Sequence, residues 1–71
     1  MSIQERIENA KTKFEKAHTQ SLVARMAMDR LVGLVERTKK LAEERPTPFR
    51  QADLEDDIEM LEAYVEEIGR P

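Results

Sequence analysis

Residues 3–42 read IQERIENAKTKFEKAHTQSLVARMAMDRLVGLVERTKKLA, and apolar or small residues recur in them at alternating spacings of four and three. This spacing keeps one stripe of a helix turned toward a packing partner, as in a coiled coil. The pattern continues without an interruption, so it predicts one long helix over about residues 3–44. The stripe consists of Ile3, Ile7, Ala10, Phe14, Ala17, Ser21, Ala24, Met28, Leu31, Val35, Thr38 and Ala42.

A shorter helix is predicted over about residues 48–68, after a turn at residues 45–47. Pro46 cannot continue a helix and pushes Arg45 out of the helical region. Thr47 is a suitable N-cap, and Pro48 fits the first helical position. The apolar stripe of this helix is Leu54, Ile58, Leu61, Val65 and Ile68. The sequence therefore predicts an all-α, coiled-coil-like helical hairpin that forms a single interaction domain over residues 1–71.

Capping residues define the start of the first helix and mark one place where it could break. Ser2 and Glu5 have the spacing of a capping box, so the helix is expected to begin at Ile3. The stretch His18-Thr19-Gln20-Ser21 contains two possible caps. A break there is the alternative to one continuous helix.

The unequal lengths of the two helices predict a homodimer. At about 1.5 Å per residue, the second helix covers only half of the first. The uncovered N-terminal half needs another partner, and a two-fold dimer with antiparallel long helices in a four-helix arrangement is the simplest solution. The predicted dimer interface consists of Ile3, Ile7, Ala10, Phe14, Ala17, Ser21, Ala24 and Met28.

The first helix carries a second apolar stripe beside the first, formed by Val23, Ala27, Leu34 and Leu41. A helix that is apolar on several sides is expected to contact several neighbours. Gly33 is unfavourable inside a helix, which indicates a close helix crossing at that point. Phe49 is predicted to staple the hairpin near the turn.

Charge is divided unevenly along the chain. Residues 1–50 carry eleven Lys and Arg against seven Asp and Glu, whereas residues 51–71 carry one against eight. The acidic second helix is interpreted either as the complement of a basic first helix or as a surface for another protein, one that is basic or binds nucleic acid. The candidate partner-binding residues are Met26, Met60, Tyr64, Glu59, Glu62 and Glu66.

Catalytic, metal, cofactor and membrane functions find little support in the sequence. Glu15 and His18 have the spacing of one half of a carboxylate-bridged metal site, but a full site needs further inward-facing acids. No nucleophile and base are paired, and no glycine-rich phosphate loop is present. We therefore expect no enzyme, no cofactor and no metal. The absence of cysteine, of a signal peptide and of a long apolar segment predicts a soluble cytoplasmic protein.

These patterns favour a homodimeric module that binds another protein. We interpret it as a small regulator or inhibitor, of the kind that phages and mobile elements encode, which masks a host protein such as a transcription factor. A structural or assembly adaptor, or a chaperone, is one alternative. A helical dimer that binds RNA or DNA is the other, although the negative net charge and the interleaved glutamates disfavour it.

Overall fold

The computed structural model describes residues 2–17 and 21–69, and all of its regular secondary structure is helical. Helix α1 spans Ile3–Lys16, α2 spans Leu22–Glu44 and α3 spans Pro48–Ile68. Ser2 is the N-cap of α1, and its Oγ accepts a hydrogen bond from the Glu5 N–H at 3.2 Å. Thr47 caps α3 in the same way, with its Oγ1 accepting from the Arg50 N–H at 3.2 Å. Each cap satisfies a backbone donor that has no partner inside its helix.

The chain forms two helices where the sequence predicts one helix over about residues 3–44. Helix α1 ends at Lys16, because Ala17 has extended backbone angles and its N–H bonds back to the Phe14 carbonyl at 3.1 Å. Ser21 then begins α2 as an N-cap, and its Oγ accepts from the Ala24 N–H at 3.1 Å. The prediction of a continuous helix is wrong. Of the stretch suspected of a break, Ser21 is a cap, whereas residues 18–20 lie outside the described part of the chain.

The three helices form a bundle in which α2 is antiparallel to both of the others. Lys39 on α2 donates to the side chain of Gln4 near the start of α1, at 3.2 Å. Thr38 of α2 donates to the Asp57 carboxylate of α3 at 2.7 Å. Helix α1 is consequently parallel to α3. The Cα atoms extend over 38 × 22 × 14 Å.

The core is built from the predicted stripes of all three helices. The side chains that are essentially inaccessible to solvent are Ile7, Val35, Ile58, Leu61 and Val65. Ala10 and Phe14 of α1 join them, as do Ala24, Met28 and Ala42 of α2 and Leu54 of α3. The heptad spacing therefore identifies the buried positions, although it does not identify the break between α1 and α2. Ser21 is the exception in the stripe, because it is an exposed cap.

The residues assigned to a dimer interface are mostly buried inside a single chain. Ile7, Ala10 and Phe14 pack into the core, and Ala17, Ala24 and Met28 are also buried. Ile3 is half-buried against the same core, and Ser21 is exposed. Because α1 folds back onto the bundle, its stripe needs no second chain to cover it. The reason for placing a dimer interface on these residues is thereby removed.

Two further sequence interpretations are wrong. An ideal Cβ placed on Gly33 would meet no atom within 4 Å, so this glycine does not mark a close helix crossing. Phe49 is 84% exposed and staples nothing within the described chain. Within the described residues, no helix combines the length and the apolar character that crossing a membrane requires.

Candidate interaction surface

An apolar surface of the bundle lies on α2 and α3, on the side that α1 leaves open. Exposed fractions are 76% for Val23, 50% for Met26, 41% for Leu34, 36% for Leu41 and 54% for Met60. We call this surface the apolar face and define it by Val23, Met26, Ala27, Leu34, Leu41, Met60 and Tyr64. Isolated apolar side chains on a surface are ordinary, but a contiguous group of them is typical of an interaction site.

The helical periods of α2 explain why these side chains are not in the core. The buried stripe of α2 includes Ala24, Met28 and Val35. At 100° per residue, Val23, Ala27 and Leu34 lie on the next stripe around the helix, beside the core stripe rather than on it. Helix α1 lies on the other side of the core stripe, where Lys11 meets Glu36 at 3.7 Å. The second stripe therefore remains uncovered.

A groove between α2 and α3 forms one end of the apolar face. It has a volume of about 450 Å³ and is lined by Val23, Met26, Ala27, Arg30, Leu31 and Tyr64. Tyr64 on α3 forms one wall of the groove, and the other lining residues, all on α2, form the opposite wall. The antiparallel register set by Thr38 and Asp57 places Met60 level with the turn of α2 that carries Leu34. Apolar surface thus continues along both helices from this groove.

The six candidate partner-binding residues divide between two sides of the bundle. Met26 and Tyr64 line the same groove of the apolar face, and Met60 is exposed on α3 one turn before Tyr64. Glu62 and Glu66 instead line a groove toward α1 that also contains Arg6 and Lys13. Glu59 is exposed on α3. The apolar candidates therefore share one surface, whereas the acidic candidates do not belong to it.

Arg6 ties α1 to α3 by contacts with two glutamates. Its guanidinium donates to both carboxylate oxygens of Glu55, at 2.8 and 2.9 Å, and to both oxygens of Glu62, at 3.2 and 2.6 Å. The hydrogen bonds from Arg6 hold the pKa of Glu62 below its usual value, although partial burial opposes this effect. The same contacts raise the pKa of Arg6, so the arginine stays charged throughout the accessible pH range. Two of the acidic residues of α3, Glu55 and Glu62, therefore form ion pairs within the chain.

We expect the bundle to lose stability as the pH falls through the carboxylate range, and Arg6→Met to remove part of that loss. A lowered folded-state pKa means that Glu62 stabilises the fold above its unfolded-state pKa of roughly 4.3, and that this contribution disappears below the folded-state value. At neutral pH the substitution is expected to lower the free energy of unfolding by about 1 kcal/mol, since the glutamates are 40% and 49% exposed. Urea denaturation at a series of pH values measures both effects.

Arg45→Met is the control for this experiment, because Arg45 is exposed and makes no ion pair with any residue that the structure describes. It should leave both the stability at neutral pH and the acid slope unchanged. An acid slope that is identical in wild type and Arg6→Met would contradict the assignment of Glu62.

A second groove lies between α1 and α2 and has a different character. Its volume is also about 450 Å³, and Phe14, Met28 and Val32 supply apolar surface at its base. Charged side chains of both signs surround it, namely Lys11, Glu15, Arg25, Asp29 and Glu36. Gly33 lines this groove, and a Cβ built on it would contact no side chain of another helix within 4 Å. Space therefore remains between the two helices at this point. The arrangement is that of a solvated helix junction.

The described residues include no group of three or more His, Cys, Asp or Glu side chains that could hold a metal ion. The predicted pair of Glu15 and His18 cannot be judged as a pair, since His18 lies outside the described residues. Sequence reasoning missed the role of Arg6, whose partners lie 49 and 56 positions away in the chain. No local pattern signals a contact over that separation.

Comparison with protein-family models, with curated proteins and with solved structures finds no match to this chain.

Proposed function

We propose that this chain is a non-enzymatic protein–protein interaction module, which acts as a small regulator or inhibitor by covering a surface of another protein. The observation that carries the proposal is the apolar face, on which Val23, Met26 and Met60 are at least half exposed. A folded bundle that already buries a complete core has no structural need for these side chains on its surface. Their exposure is unfavourable in water and becomes favourable when a partner covers them.

The composition of the apolar face suits recognition of a helix or a helix pair. Met26 and Met60 have flexible, polarisable side chains that adapt to a partner's surface. Tyr64 contributes a rigid ring with a polar end, a side chain that is frequent at binding hot spots. The α2 positions follow a heptad spacing, which is the pattern that presents a seam to another helix.

The proposal is tested by capture of proteins from a native cell extract with the tagged chain, using Met60→Glu as the variant. A buried glutamate in the interface would have to lose its hydration, so capture should fall by tenfold or more. Thr12→Glu is the matched control. It introduces the same charge at an exposed residue of α1, a helix that contributes no side chain to the apolar face.

The extract is treated with nuclease, and the captured protein is then purified and tested alone. Stoichiometric binding that Met60→Glu abolishes and Thr12→Glu retains would support the proposal. Equal capture by both variants would contradict it, and recovery of nucleic acid alone from an untreated extract would favour the RNA- or DNA-binding alternative.

A further inference from the structure

We propose that a second copy of this chain covers the apolar face, related by a two-fold axis that runs parallel to the helices. In this dimer, α2 of each copy packs against α3 of the other. The inference rests on the same face as the proposed function, and it names a second copy as the occupant with which another protein would compete. It also relocates the homodimer contact from the α1 stripe, which is buried within one chain, to α2 and α3.

The first argument is the arrangement of charge at the apolar face. On α2, Arg30 and Arg37 fall between the apolar positions, so that the stripe from Val23 to Leu41 keeps its spacing of four and three. On α3, Asp53 and Asp57 continue the line of Met60 and Tyr64. One helix therefore contributes positive charge to the face and the other contributes negative charge.

These charges are incompletely paired within one chain. Among the described residues, Arg30, Arg37 and Asp53 form no ion pair within 4.0 Å. Asp57 accepts its hydrogen bond from Thr38 on one carboxylate oxygen only. A two-fold interface joins the same patch on both copies, so the patch must contain its own complement. This face meets that condition because it has a basic half and an acidic half.

The charges also select between the two possible two-fold arrangements. An axis perpendicular to the helices would place α2 on α2 and α3 on α3, which brings arginines toward arginines and aspartates toward aspartates. An axis parallel to the helices places α2 on α3, which brings Arg37 toward Asp57 and Asp53. Opposite charges across a helical seam favour the second arrangement, and like charges disfavour the first.

The register of the apolar side chains agrees with the axis parallel to the helices. Rotation about such an axis leaves the height of each residue along the helices unchanged. Leu34 lies level with Met60 in its own chain, so Leu34 of one copy would meet Met60 of the other. Arg37 lies level with Asp57, because Thr38 bonds to Asp57. All neighbouring helices at the interface are then antiparallel, as in an up-and-down four-helix bundle.

The size of the face indicates a reversible dimer. Helix α3 ends at Ile68, which the contact of Thr38 with Asp57 places level with Ala27, so both helices share the face only from Ala27 to Leu41, over about 21 Å. With two helices making it roughly 20 Å wide, each copy would bury on the order of 400 Å², and the two copies together about 800 Å². Areas below about 1,200 Å² are typical of weak or transient contacts, so a weak, reversible dimer is expected rather than an obligate assembly.

Sedimentation equilibrium of the purified chain over a concentration series tests the proposal. A mass that rises from monomer to dimer is expected for wild type and for Thr12→Glu, which changes an exposed residue of α1. For Leu34→Glu, the dissociation constant of the dimer should rise at least tenfold, while the helix content measured by circular dichroism stays unchanged. A chain that stays monomeric up to millimolar concentration overturns the proposal, and so does a dimer that Leu34→Glu leaves intact.

Charge exchange tests the axis directly and depends only on exposed positions. Arg37→Glu alone places negative charges together at two equivalent sites, and Asp53→Arg alone places positive charges together. Each variant should dimerise about tenfold less tightly than wild type, from two exposed pairs. In an equal mixture, heterodimers should form more tightly than either variant's homodimers, because Arg37→Glu of one copy then meets Asp53→Arg of the other, and the second site keeps Arg37 with Asp53. Failure of the mixture to recover affinity overturns the arrangement of α2 on α3.

The two proposals can fail separately. If the wild-type chain is monomeric and binds a purified target protein, and Met60→Glu abolishes that binding, the dimer is overturned and the proposed function is supported. A dimer with the expected charge exchange, and with no target that depends on this face, would support the inference and contradict the proposed function.

Discussion

Replacing Ile7 by alanine is expected to lower the free energy of unfolding by about 3 kcal/mol, even at concentrations at which the chain is monomeric. Ile7 is completely buried in the core formed with α2 and α3. The loss combines the missing transfer of the side chain from water with the cavity that remains. A domain of this size has roughly 4–10 kcal/mol of total stability, so the effect is large. Urea denaturation followed by circular dichroism measures it.

The same substitution separates the three-helix bundle from a long helix extending over residues 3–44. In the long helix of an isolated chain, Ile7 would face water and its truncation would cost little. Leu22→Ala is the control, because Leu22 is 73% exposed, and it should change the free energy of unfolding by less than about 0.5 kcal/mol. If Ile7→Ala matched this control in the monomer, the packing of α1 on the bundle would be disproved.

The sequence was sufficient to predict which positions of each helix are buried. Ile7, Phe14, Met28 and Val35 all occupy the predicted stripe and all lie in the core. This succeeds because burial depends on the direction of a side chain around its helix, and a heptad spacing records that direction. Solvent is excluded from the stripe whether its partner comes from the same chain or from another chain.

For the same reason, the heptad spacing could not decide between a continuous helix and the break between α1 and α2, which the sequence offered as the alternative. A helix that folds back after Ala17 and a helix that continues past it can both keep the same stripe in phase. The decisive local signal was Ser21, whose side chain caps α2 although the heptad assigns it to the core. The small residues Ala10 and Ala24 were interpreted as a seam between two chains, but they lie in the core of one chain.

The candidate surface was predicted in part. The second stripe of α2 and the pair Met60 and Tyr64 are visible in the sequence, because both follow from helical spacing. Their union into one face depends on the register between α2 and α3, which the contact of Thr38 with Asp57 sets. The assignment of Glu62 to a binding surface did not anticipate Arg6, since charge composition gives no information on pairing between distant residues.

Helix α3 occupies the centre of the bundle, so truncation of Leu61 is expected to affect all three helices. Leu61 is completely buried, and α3 packs against both α1 and α2. We expect Leu61→Ala to lower the free energy of unfolding by about 3–4 kcal/mol. Amide hydrogen exchange should accelerate in α1, α2 and α3 together, because α3 is the helix on which both of the others pack.

Leu61→Ala and Ile7→Ala are expected to differ in which helices exchange faster. Helix α1 is joined to the bundle chiefly through α3, by the packing of Ile7 and by the contacts of Arg6. Loss of Ile7 should therefore accelerate exchange in α1 more than in α2 and α3, which still pack on each other. Loss of Leu61 weakens the α2–α3 pair itself and should leave no helix protected. If Leu61→Ala affected α1 alone, α3 would not be the helix that connects the other two.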